Sequence, residues 1–266
     1  MSALLCAAAA AEPVSFGARV LQIQPPENFA ALARRAPQTI STMQAFVPDS
    51  MRVIDVYTTP ALAAALEKGQ QQKWGRYFTL QVLRSDDGKP STFALYWDHP
   101  DLVETELRHQ FENAHAREKQ LAAQASQRLN RSLAETSAGV SDSSEFLGIT
   151  HKEPWGLFYA MKTKDKDGSM TFASNAIVDI NYQVVALAVY APYRNAADRF
   201  WAESALFDWA NALRSMNPDD PVLGAQLAAA PKRWTAEDFG SIGRYVGGFI
   251  GVLIAVLWGR RRKAKQ

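Results

Sequence analysis

Cysteine is nearly missing from this chain. Cys6 is the only one in 266 residues, which excludes a disulfide framework and any cysteine-rich metal site. Histidine is scarce as well, with four in all. There is no Gly-x-Ser-x-Gly elbow, Walker-type loop, dinucleotide fingerprint or Cys-x-x-Cys pair. Hydrolytic and transfer chemistry is thus left without a visible nucleophile–base pair, and no motif calls for a cofactor or a metal. Acidic residues stop at Asp238, whereas six of the 29 basic ones (Arg244, Arg260, Arg261, Arg262, Lys263 and Lys265) lie beyond it. Setting those six aside leaves 23 basic against 27 acidic side chains, so the formal charge of +2 belongs to the tail. A nucleic-acid partner therefore loses its electrostatic footprint. The ordinary proportions of hydrophobic residues (47%) and charged residues (21%) exclude a disordered polymer.

What is present is concentrated first at the C-terminus. Residues 239–258 carry one charge, Arg244, over 20 positions. At about 1.5 Å per residue such a helix spans the roughly 30 Å hydrocarbon layer. Arg244 sits near the outer end, where its guanidinium can snorkel to the interface. Trp234, Tyr245 and Trp258 stand where interfacial aromatics belong, and Thr235 with Asp238 forms a plausible N-cap for a transmembrane helix over 235–259. The basic cluster Arg260, Arg261, Arg262 and Lys263 predicts that residues 260–266 remain in the cytoplasm, with the preceding domain across the membrane. Gly243, Gly247, Gly251, Ala255 and Gly259 recur every four residues and line one helical face, a surface for self-association as a homodimer or for a partner transmembrane helix. At the other end, residues 1–11 read as a short apolar stretch closing on an Ala-x-Ala cleavage pattern at Ala9 and Ala11, the end of a secretory signal.

Between the ends, residues 12–217 read as an α/β domain. Strand patterns occupy 52–58, 77–83 and 92–97, with a helix over 59–68. A long amphipathic helix is predicted over 101–135, followed by a serine-rich linker. Strand patterns return over 155–161 and 170–178, and 184–190 reads as a central strand apolar on both faces. Residues 196–216 form an amphipathic helix, and prolines at 218, 221 and 231 mark a tether over 218–234.

Tested for chemistry, most of the polar clusters reduce to surface features. Glu106-x-x-His109 and Glu112-x-x-His115 are six residues apart on one helix, which leaves them about 120° apart and unable to share a metal alone. The run from Asp165 to Gly168 lacks the ligands of a calcium loop. The best binding patch combines His151 and Trp155 with Tyr193 and Arg194, a polar and aromatic set near strand ends.

The run from Val185 to Arg194, leading into a tryptophan-rich helix that ends at Asn217-Pro218, is similar to the end of a group of exported bacterial proteins. Over residues 45–217 the strand–helix order also resembles the PsbP-like α/β sandwich. The resemblance implies an α+β fold, an antiparallel sheet flanked by helices, on a scaffold used for protein docking more than for catalysis. It assigns no functional residues. The expectation is a single-pass protein of the bacterial inner membrane with a periplasmic, non-enzymatic domain in an accessory or assembly role. The rivals are a membrane-anchored hydrolase or ligand-processing enzyme and a soluble protein with a basic tail.

Overall fold

The computed structural model describes residues 11–17, 19–70, 72, 74–84, 87–88, 105, 143–164 and 168–229. The signal-like segment up to Ala10, the strand pattern over 92–97, the helix over 101–135 apart from Thr105 (its Glu-x-x-His pairs included), the transmembrane segment with its glycine stripe and the basic tail all lie outside the described residues. Among the described residues, no helix is long and apolar enough to cross a membrane.

The described chain is α+β and its sheets are antiparallel. A hairpin of β1 (Glu12–Phe16) and β2 (Arg19–Ile23) stands apart from the main sheet. The main sheet has seven strands: β3 (Ala30–Ala31), β4 (Met51–Thr58), β5 (Tyr77–Leu83), β6 (Ser143–Glu153), β7 (Gly156–Lys164), β8 (Met170–Ile180) and β9 (Gln183–Pro192). They lie in the order β3-β4-β5-β9-β8-β7-β6, each antiparallel to its neighbours. β9 is thus the middle strand, and nine of its ten residues are buried. A strand apolar on both faces needs cover on both faces. One face packs against α1 (Pro37–Phe46) and α2 (Pro60–Glu67) through Met43, Ala45, Leu62 and Ala63. The other receives the β1–β2 hairpin and α3 (Ala196–Met216) through Phe16, Leu21, Ile23, Leu206, Trp209 and Leu213.

Each helix that bears on the site has a local signal. Thr59 caps α2 through its side chain, with Pro60 in the first turn, where its missing N–H is harmless. Asn195 caps α3 by accepting from Ala197 N–H at 2.9 Å. At the far end of α3, the Asn217 amide binds Gln22 in both directions: Nδ2 donates to the Gln22 carbonyl at 2.8 Å, and Oδ1 accepts from Gln22 N–H at 2.7 Å. One side chain thereby docks the hairpin onto the helix. The segment read as a tether carries α4 (Pro221–Ala229), whose first turn is capped by Asp220 accepting from Val222 and Leu223 N–H.

The hairpins have their own turn chemistry. β8 and β9 are joined by Asn181 and Tyr182, both at positive φ (48° and 60°), the form a two-residue hairpin requires. Arg19 donates to the carbonyls of both residues and holds that turn against the first hairpin. Gly17, at φ +54°, turns β1 into β2, and a Cβ there would lie 2.9 Å from the Asp87 carbonyl oxygen. Gly17→Ala is expected to cost about 2 kcal/mol through the left-handed backbone and this contact. Urea unfolding would read it as a lower midpoint at unchanged slope, and an unmoved midpoint would mean that the turn relaxes freely.

Candidate functional site

Among the described residues, a cleft of about 400 Å³ lies between α3 and the segment that follows β2. Its helical wall consists of Trp201, Ala205, Asp208, Trp209 and Ala212. The offsets of four, seven, eight and eleven place these residues on one helical stripe. The facing wall is Gln24, Pro25, Pro26, Glu27, Asn28 and Phe29, and Phe78 of β5 forms the floor. This second wall is stiff for reasons of composition: two adjacent prolines fix φ, Asn28 adopts φ 65°, and Phe29 N–H donates to the Pro26 carbonyl at 3.0 Å.

Aromatic rings hold the walls together. Trp209, 4% exposed, donates its indole N–H to the Gln24 carbonyl at 2.9 Å. Its ring meets Tyr57 and Phe78 edge-on, with centroids 5.3 and 5.4 Å away. Phe78 also takes Phe29 edge-on at 4.7 Å and Trp201 at 6.1 Å. Such pairs add about 0.5–1.5 kcal/mol each beyond the area they bury. The segment is fastened again just past Phe29. β3 pairs with β4, and Asp55 Oδ1 accepts from Leu32, Ala33 and Val56 N–H at 3.1, 2.9 and 2.7 Å. Burial outweighs these three bonds and pushes the Asp55 carboxyl up to about 6.

Charge is arranged around the cleft in two ways. Glu27 and Asp208 line it and are exposed, and among the described residues neither forms an ion pair. Behind Trp201, the Arg76 guanidinium lies 3.9 Å from the ring centroid and is paired with buried Asp198 at 3.4 Å. Asp198 also accepts from Arg194 through Nε at 3.1 Å and Nη2 at 2.9 Å. The Arg194 hydrogen bond is the main reason the Asp198 carboxyl falls to about 2.

The four residues singled out in the sequence divide between two places, both separate from this cleft. His151 on β6 and Trp155 in the β6–β7 turn gather around Phe207 of α3, with centroids 4.5 and 6.3 Å away. His151 Nε2 lies 2.9 Å from Glu153 Oε1, and Arg214 covers the Trp155 ring at 5.0 Å. Tyr193 instead tilts against Phe172 at 6.1 Å, and Arg194 is engaged with Asp198 at the start of α3. The structure thus brings His151 together with Trp155 beside Phe207, and sets Tyr193 and Arg194 apart from them near Phe172 and Asp198. Gly243, Gly247, Gly251, Ala255, Gly259, Arg260, Arg261, Arg262 and Lys263 lie outside the described residues. Among the described residues, no group of three or more His, Cys, Asp or Glu side chains could hold a metal ion.

The cleft escaped sequence reasoning because its three parts lie about 50 to 180 positions apart. The signals that could have found it are the Pro25-Pro26 pair next to Phe29 and the Trp201/Trp209 spacing on α3. Compared with protein-family models, curated proteins and solved structures, the chain matches none.

Proposed function

We propose that this chain is a membrane-anchored accessory protein whose α+β domain works by binding, through the aromatic cleft, on the side of the membrane opposite the basic tail. The observation that carries the reading is the cleft itself. Its volume is within the range of small-molecule sites, its walls combine apolar and polar surface in similar measure, and it is built on elements tied by the Trp209–Gln24 bond. Its lining offers rings, amides and carboxylates suited to holding a ligand. The apolar run over 239–258 followed by four consecutive basic residues supports the anchor and its orientation, and with them a place in the bacterial inner membrane facing the periplasm. The strand–helix order that resembles the PsbP-like sandwich supports a docking scaffold.

Fluorotryptophan NMR on the full chain, with a screen of small organic molecules, tests this reading. Seven tryptophans give seven signals, and each is assigned by its Trp→Phe variant. Ligands are expected to shift Trp201 and Trp209 and leave Trp74 and Trp155 in place. Shifts confined to Trp155, or conversion of the ligand during the titration, would hand the domain to another site or to an enzyme.

A further inference from the structure

We infer that the ligand of this cleft is a small organic cation of the methylated-ammonium class. The inference rests on the binding reading above and adds the chemistry. Three features of the lining point the same way. First, its charge has one sign among the described residues: Glu27 and Asp208 contribute two carboxylates, and no basic side chain of those residues lines the cleft. An anion would be repelled, and a neutral apolar ligand would leave that field unused. Second, four rings line the cleft, Phe29 and Trp201 half-buried and Phe78 and Trp209 buried behind them, beside the Gln24 and Asn28 amides, two prolines and two alanines. Phe29, Phe78, Trp201 and Trp209 present ring faces and edges around one space, and ring faces attract cations by their quadrupole. Third, the chain already uses one of these rings in that way, since Arg76 stacks on Trp201 from outside the lining. Arg76 shares the Asp198 carboxylate with Arg194 and stands outside the lining.

The degree of hydration selects the class. A bare ammonium or a metal ion is strongly hydrated and would have to exchange that water for hydrogen-bond or coordination partners. The rings supply none, which leaves only the side chains of Gln24, Glu27, Asn28 and Asp208 to replace it. A methylated ammonium has a diffuse charge on an apolar skin and loses little on entering an aromatic space, while the rim carboxylates act on it through a short layer of water. At about 400 Å³ the cleft fits a ligand of that size and excludes a folded partner.

Isothermal titration calorimetry of the full chain in maltoside micelles tests the inference. Choline is compared with 3,3-dimethyl-1-butanol, in which carbon replaces the charged nitrogen at the same shape. Choline is expected to bind about tenfold or more tightly than the isostere, with an affinity that falls as salt is raised. Asp208→Asn with Glu27→Gln should remove most of that preference while leaving isostere binding unchanged, which also shows that the variant is folded. If the isostere binds as tightly as choline, the cation is overturned and the cleft stands. If neither binds below about 10 mM, the cation is again overturned. The binding reading then falls too only if Trp201 and Trp209 stay unmoved in the fluorotryptophan screen.

Discussion

Trp209→Ala is expected to remove about 4 kcal/mol from the stability of the domain, the largest effect of any single substitution proposed for this chain. The indole is almost fully buried between α3 and the sheet, with Tyr57 and Phe78 against it. Truncation leaves a cavity that the two β-strand aromatics cannot fill, because their own backbones are fixed in the β4–β5 ladder, where Tyr57 pairs with Phe78. It also strips the Gln24 carbonyl of its donor at the point where the proline wall begins. Trp209→Phe keeps most of the ring and loses only the N–H, so about 1–2 kcal/mol is expected. Trp201→Ala, on the half-buried rim of the same stripe, should cost less than Trp209→Ala. Urea unfolding of the three variants checks the order, and a Trp209→Ala midpoint close to wild type would mean that the wall is held by something other than this indole.

Asp55 should make stability rise as the medium is acidified from pH 6.5 to 4, against the usual trend for a carboxylate. Its folded value of about 6 lies above the ordinary 3.8 because burial penalises the charge more than three N–H donors reward it. Between those two values the folded state holds the proton more tightly than the unfolded chain. The contribution of Asp55 is therefore full below about pH 4 and is lost as pH rises through 6, a swing of about 3 kcal/mol. Asp198 acts in the opposite sense. Its value of about 2 is below the ordinary 3.8, so its contribution is present above pH 4 and disappears as pH falls toward 2. The summed contribution of these two groups is greatest near pH 4. The discriminating measurement is the difference between wild type and Asp55→Asn across the range. Wild type should gain on the variant as pH falls from 6.5 to 4, and a constant difference would mean that Asp55 titrates as it does in water.

Much of the frame was legible from local pattern. The β-branched and aromatic runs behind β4, β5, β7, β8 and β9 are long enough to exclude alternatives, and α2 and α3 declare themselves by Pro60, by Asn195 and by an apolar stripe at helical spacing. β6 was hidden. Its start lies in serines that read as linker, and as an edge strand broken by two register shifts it carries no clean alternation. β3 is two residues long, too short for any periodicity, and exists because Tyr57 and Thr58 offer it a ladder. α4 was masked by the prolines around it, although Asp220-Pro221 is itself a helix start.

Local sequence determined which segments are strands and helices and that both faces of β9 must be covered, because hydrophobic periodicity and capping act over a few residues. The apolar segment near the end and its basic flank are likewise properties of adjacent residues. The tertiary structure alone decided that His151 and Trp155 separate from Tyr193 and Arg194, and that Phe29, Phe78, Trp201 and Trp209 surround one space. The reason is physical. A binding site is a meeting of surfaces brought together by sheet order and helix docking, and neither the β5–β9 pairing nor the bond from Trp209 to Gln24 leaves a trace in the spacing of neighbouring residues.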